Sequence, residues 1–79
     1  MHETGGELAP AVTAYLAGQR LTGYQIHLIR AYLWQWVRSP VWAQTEELDA
    51  LRFRVASIDT QQELSEAIWK AVDLGMDPL

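Results

Sequence analysis

The fold turns on one stretch, Tyr24–Trp42, which reads YQIHLIRAYLWQWVRSPVW. At about 100° per residue, Ile26, Ile29, Leu33, Trp36 and Val37 share one helical face, with Leu28 and Tyr32 on one flank and Trp34 on the other. The apolar arc spans roughly 240°, against the ~100° stripe that a surface helix needs. Such a helix wants neighbours on nearly every side, which predicts a central place in a bundle. Its start is marked by Thr22 followed three residues later by Gln25, the spacing at which hydroxyl and amide satisfy each other's exposed backbone donors. Leu21 and Ile26 are placed to form a hydrophobic staple across that start. Ser39-Pro40 ends the helix, because proline disfavours helical geometry in the residue before it, and Arg38 suits the negative end of the helix dipole. The central helix is thus expected over residues 22–38.

Working outward, Leu8, Val12, Tyr15 and Leu16 recur at helical spacing between Glu7 and Ala17, with Pro10 tolerated in a first turn and Gly18 as the stop. Residues 1–6 are expected to be flexible. Downstream, Pro40–Ala43 reads as a turn or short helical piece, and Thr45 caps a helix over Glu46–Ala56 whose stripe is Leu48, Leu51, Val55 and Ile58. Glu46, Glu47 and Asp49 favour its positive dipole end. Thr60 and Glu63 repeat the capping-box spacing before a last helix with the stripe Leu64, Ile68, Ala71 and Val72. Gly75 should end that helix, and Met76 should fold back on its final turn. No alternating strand run or Asn-Gly or Asp-Gly hairpin turn competes with these signals. The expected architecture is all-α, a small bundle of about four helices forming one domain over 1–79.

Composition narrows the possible functions. At 79 residues a single core contributes only a few kcal/mol net, so dense aromatic packing or a partner has to help; four Trp, three Tyr and one Phe supply the rings. Six Lys/Arg against ten Asp/Glu, a net charge of −4, argue against a generally basic nucleic-acid binder. The absence of cysteine excludes disulfides, thiolate zinc sites and cysteine nucleophiles. The opening MHETGGEL has no basic region or apolar core of a secretory signal, and no apolar run approaches the ~18 residues of a spanning helix. A cytoplasmic location without membrane attachment is expected.

Catalytic chemistry finds no constellation. His2 and His27 are the only imidazoles and have no partner at metal-ligand spacing, while Gly5-Gly6, Gly18 and Gly23 match neither a P-loop nor a dinucleotide fingerprint. The carboxylates fall where caps, dipoles or solvated faces explain them, and Ser39, Ser57 and Ser65 stand in no nucleophile motif. The expectation is a protein that is not an enzyme and takes no metal or cofactor.

The aromatic residues leave two readings open. In one, the central helix is fully enclosed by its companions, with Trp42 and Trp69 plugging the ends of the bundle. In the other, three short helices cover only part of its arc, and Tyr24, Tyr32, Trp34 and Trp42 form an exposed patch for another protein, with Arg30 laid against the Trp34 ring. The second reading makes the chain a non-catalytic interaction module, an accessory, adaptor or inhibitor protein, whose partner is a second copy of itself or a larger target. Tyr24, Arg30, Tyr32, Trp34 and Trp42 are its candidate protein-binding residues.

Charge is unevenly divided. Residues 19–38 hold Arg20, Arg30 and Arg38 and no acid, whereas residues 55–79 hold Asp59, Glu63, Glu66, Asp73 and Asp77 against Lys70. That asymmetry could orient two copies, steer a basic partner, or only solvate separate faces. An alternative function is an acidic inhibitor that imitates nucleic acid through Glu63, Glu66, Asp73 and Asp77. A further alternative comes from Tyr15–Trp36, where a Thr22-capped helix carries Tyr24 and the closing aromatic pair Trp34 and Trp36. This run resembles part of the helical core-binding domain of tyrosine recombinases. The resemblance covers about a quarter of the chain, implies a small helical DNA-binding module, and assigns no functional residue.

Overall fold

Three of the four helices begin where a threonine takes over the backbone donors of the first turn. In the computed structural model, which describes residues 4–79, the element order is α1 (Thr4–Leu16), α2 (Gly23–Val37), α3 (Glu46–Ala56) and α4 (Gln61–Asp73). Thr22 Oγ1 accepts from the Gln25 backbone at 3.1 Å while Gln25 Oε1 accepts from the Thr22 backbone at 2.9 Å. Thr60 and Glu63 repeat this box at 3.2 and 3.0 Å, and Thr45 accepts from the Leu48 backbone at 3.1 Å. Each such cap is worth about 1 kcal/mol.

The ends follow the expected chemistry as well. Gly18 and Gly75 adopt φ of +75° and +88°, the left-handed conformation that closes a helix. After Gly75 the chain doubles back, the Met76 N–H donates to the Ala71 carbonyl at 3.0 Å, and the Met76 side chain is buried. α1 departs from expectation at its start: it begins at Thr4 rather than Glu7, which moves Pro10 from a first turn into the helix interior and removes one backbone bond there. The flexible start expected over 1–6 falls partly outside the described residues, as does His2.

Packing makes α2 the hub. It contacts α1, α3 and α4, and α3 also packs on α4; among the described residues α1 and α4 have no close backbone approach and meet through side chains, Tyr15 Oη donating to Ser65 Oγ at 3.3 Å. The core is built from Ile29, Leu33 and Val37 of α2, Leu48, Leu51 and Val55 of α3, and Leu64, Ala67, Ile68 and Ala71 of α4, with Ala11 from α1. Leu21, Ile58 and Met76 close it from the connections. Burying each of the larger side chains contributes roughly 1.5–3 kcal/mol. The expected α3 stripe is buried throughout.

Two side chains fasten the connections. Gln61, the first residue of α4, accepts from the Leu21 backbone at 2.8 Å and donates to the Gln19 carbonyl at 3.0 Å, tying the α1–α2 link to the start of α4. Arg52 of α3 donates from Nε to the Val37 carbonyl at 2.9 Å, setting a cation at the C-terminal end of α2 where the helix dipole favours it.

α4 requires two corrections. Val72, expected in the core stripe, is 45% exposed, and Ala67 lines the core instead; Trp69, which one of the two readings made a plug at an end of the bundle, is 67% exposed. The cause is topological. α1 packs closely on α2 and reaches α4 only through side chains, so Val72 and Trp69 border an open groove instead of a packed seam.

Candidate functional site

The greasy arc of α2 finds cover largely within its own chain. Tyr32 and Trp36 stack with ring centroids 6.3 Å apart, and Trp36 meets Trp42 at 5.7 Å with the planes tilted by 56°. Both ends of this row are held by hydrogen bonds: Trp42 Nε1 donates to the Trp36 carbonyl at 2.8 Å, and Tyr32 Oη donates to the Pro78 carbonyl at 2.7 Å. Tyr32, Trp34, Trp36 and Trp42 are all half-buried against the core. The buried Trp36 Nε1 has no acceptor among the described residues.

The five sequence candidates do not converge on one spot. Tyr32 and Trp42 belong to the row just described, whereas Trp34 shares a depression with Arg30, Ala31, Val55 and Ala56 at the α2–α3 seam. Tyr24 is 55% exposed at the other end of α2, where its hydroxyl donates to Glu7 at 2.9 Å. That bond, together with the negative charge of Glu7, raises the Tyr24 pKa above its ordinary value.

The cation over the Trp34 ring is a different arginine from the one expected. Arg38 sits 5.5 Å from the ring centroid, while Arg30 approaches His27 Nδ1 at 3.4 Å. Side chains on a helix lean toward its N-terminus, so Arg38 falls back on Trp34 one turn before it and Arg30 falls back on His27. The lean toward residues three and four earlier decides which partner is reached.

The more exposed rings lie on α3 and α4, where the sequence reading placed only the alternative acidic face of Glu63, Glu66, Asp73 and Asp77. Phe53 is 76% exposed and Trp69 67%. Phe53 borders a shallow depression that also contains Arg54, Glu63 and Glu66; Trp69 borders another that contains Arg54, Glu66, Lys70 and Asp73. The two depressions share Arg54 and Glu66, whose side chains pair at 3.4 Å across the helices, so the face is continuous. On its far side, Trp69 and Val72 line a groove with Leu16 and the tail residues Pro78 and Leu79. One of the two rings carried a readable signal. Phe53 lies about 160° from Leu51 and from Val55, an apolar residue turned away from its helix's core stripe, whereas Trp69 lies only about 60° from Val72 of the expected stripe and is not set apart by the wheel.

Charges on this face are mostly engaged. Glu63 Oε1 accepts from the Asp59 and Thr60 backbones, each at 3.0 Å, and from the Thr60 hydroxyl at 3.1 Å. These donors favour the carboxylate and hold the Glu63 pKa below its ordinary value. With Glu66 paired to Arg54, Asp73 and Asp77 are left without an ion pair among the described residues. Arg52 and Arg38 are occupied by Val37, Gln44, Asp49 and Trp34. No described helix is long and apolar enough to cross a membrane.

Neither a protein-family model, nor a curated protein, nor a solved structure matches this chain. The resemblance of Tyr15–Trp36 to a recombinase core-binding domain therefore rests on those residues alone.

Proposed function

We propose that this protein is a non-catalytic interaction module that docks on another protein through the helical face of α3 and α4, with Phe53 and Trp69 as its aromatic anchors. One observation carries the reading: two large rings, 76% and 67% exposed, flank a continuous polar seam in a chain that buries almost every other aromatic at least in part. Exposed aromatics rimmed by charge have the composition of an interface hot spot. Imitation of nucleic acid is disfavoured by the same geometry, because Glu63 is closed up in a helix cap and Glu66 is neutralised by Arg54.

A photo-crosslinking side chain placed at Trp69 in the intact protein, inside the cells that produce it, tests this. A discrete protein adduct is expected at position 69 and not when the same group replaces Tyr24, and Phe53→Ser in the same chain should remove it. The absence of an adduct at 69, or one indifferent to Phe53, refutes the docking reading.

A further inference from the structure

We infer that residues 76–79 are a strap that holds α1 closed on the bundle, and that slackening it lets α1 swing out as one unit while α2, α3 and α4 stay folded. Neither Phe53 nor the docking proposed above enters into this device.

The strap runs where two helices fail to meet. Among the described residues α1 and α4 have no close backbone approach, and Pro78 and Leu79 border α1 on both sides of that gap. One groove puts them beside Tyr15 and Leu16 of α1 and Trp69 and Val72 of α4; the other puts them beside Leu8 and Val12 of α1 and Tyr32 of α2. The segment is seated by alternate side chains: Met76 and Pro78 are buried, and Asp77 between them is exposed. Its backbone is tied at both ends, the Met76 N–H donating to the Ala71 carbonyl at 3.0 Å and the Pro78 carbonyl accepting from Tyr32 Oη at 2.7 Å.

α1 depends on the strap because its own grip is small. Among the described residues Ala11 is its one buried side chain, a single methyl group, while Leu8, Val12 and Tyr15 are half-buried. Pro10 takes a backbone bond out of the helix interior. The polar ties are Tyr24 to Glu7 at 2.9 Å, at an exposed site, and Tyr15 to Ser65 at 3.3 Å. An element with few buried contacts opens before the rest of its domain.

The hinge is defined as well. Gly18, at φ +75°, ends α1, and just beyond it Gln61 holds the Gln19 carbonyl and the Leu21 N–H. The swing is therefore confined to residues up to 18, and the Thr22–Gln25 box that starts α2 lies beyond the pin. Opening uncovers Tyr24, Leu28 and Tyr32, which stand four residues apart on one face of α2. Tyr24 bonds to α1 and Tyr32 borders its groove; Leu28, between them, is buried outside the main core cluster.

Amide hydrogen exchange of the intact chain, read residue by residue by NMR where exchange reports equilibrium opening, tests the strap. The amides of residues 8–16 should share one opening, about tenfold or more as populated as the one that exposes Leu51 and Val55 of α3. Tyr32→Phe, which removes only the hydroxyl bound to the Pro78 carbonyl, should speed α1 exchange about fivefold. Leu79→Asp, which sets a charge between strap and α1, should speed it further, and α3 amides should keep their rates in both variants. A single opening shared by α1 and α3, α3 rates that rise in step with those of α1, or α1 rates unchanged in either variant overturns the inference.

Discussion

α2 and the α3–α4 pair reverse what their sequences suggest. α2 is apolar around most of its circumference and carries three of the four tryptophan and tyrosine rings expected at the surface, yet Tyr32 and Trp34 end half-buried against the core. α4 has a well-defined polar side and a narrow apolar stripe, yet it leaves Trp69 bare, as α3 leaves Phe53. The difference lies in the neighbours. α2 packs closely on the other three helices, while α4 meets α1 only through side chains, Tyr15 Oη donating to Ser65 Oγ, and among the described residues no helix packs closely over the Phe53 and Trp69 rings. A wide apolar arc marks a helix that will be surrounded. A single ring opposite a narrow stripe is left exposed.

The largest effect should come from the surrounded helix. Leu33 is 1% exposed at its centre, and Leu33→Ala should cost about 2–5 kcal/mol, enough to unfold much of a domain whose core supplies little more. Urea denaturation monitored by circular dichroism measures this; a loss below about 1 kcal/mol would show that α2 is not the hub. Next comes the cap between the two outer helices. Thr60→Ala should cost about 1 kcal/mol in the same assay, since it leaves the Glu63 backbone donor without its acceptor.

The contrast with Leu33 is sharpest at Trp69. Trp69→Ala should change monomer stability by no more than about 0.5 kcal/mol, because a ring 67% exposed gives up little burial. A larger loss in dilute protein would mean that the ring belongs to the core and would break the comparison.

The smallest effect is one of pH. The Glu63 pKa lies below its ordinary value near 4.5, so the folded state favours the charged carboxylate. The stability this adds is fully present above the ordinary value and disappears as pH falls through the depressed one. Glu63→Gln should flatten that part of the profile, measured as melting temperature against pH, without abolishing the cap, since glutamine also serves at that position.

Local signals were legible in particular residues. The Thr22/Gln25 and Thr60/Glu63 boxes, the Thr45 cap and the glycine stops at 18 and 75 are interactions among neighbours in the chain, and the structure contains each of them. The stripe of α3 could also be read, because a helix with one apolar face has one way to bury it. What stayed hidden concerned the second coordinate of each side chain, its distance from other helices. Val72 and Trp69 sit on α4 next to apolar positions, and only the lean of α1 toward α2 decides that no helix packs closely over them. For that reason the proposal rests on the exposed Phe53 and Trp69, while of the residues expected from sequence Tyr32, Trp34 and Trp42 are half-buried.

The sequence by itself determined four capped or glycine-terminated segments, their helical character and the central rank of α2, because these depend on periodicity and on bonds between residues three to five apart. The tertiary structure alone decided which aromatic rings are sheltered and which face outward. Exposure is set by where separate helices come to rest, and with four short rods around a small core there is cover for the rings of the middle helix and none left for those on the outer pair.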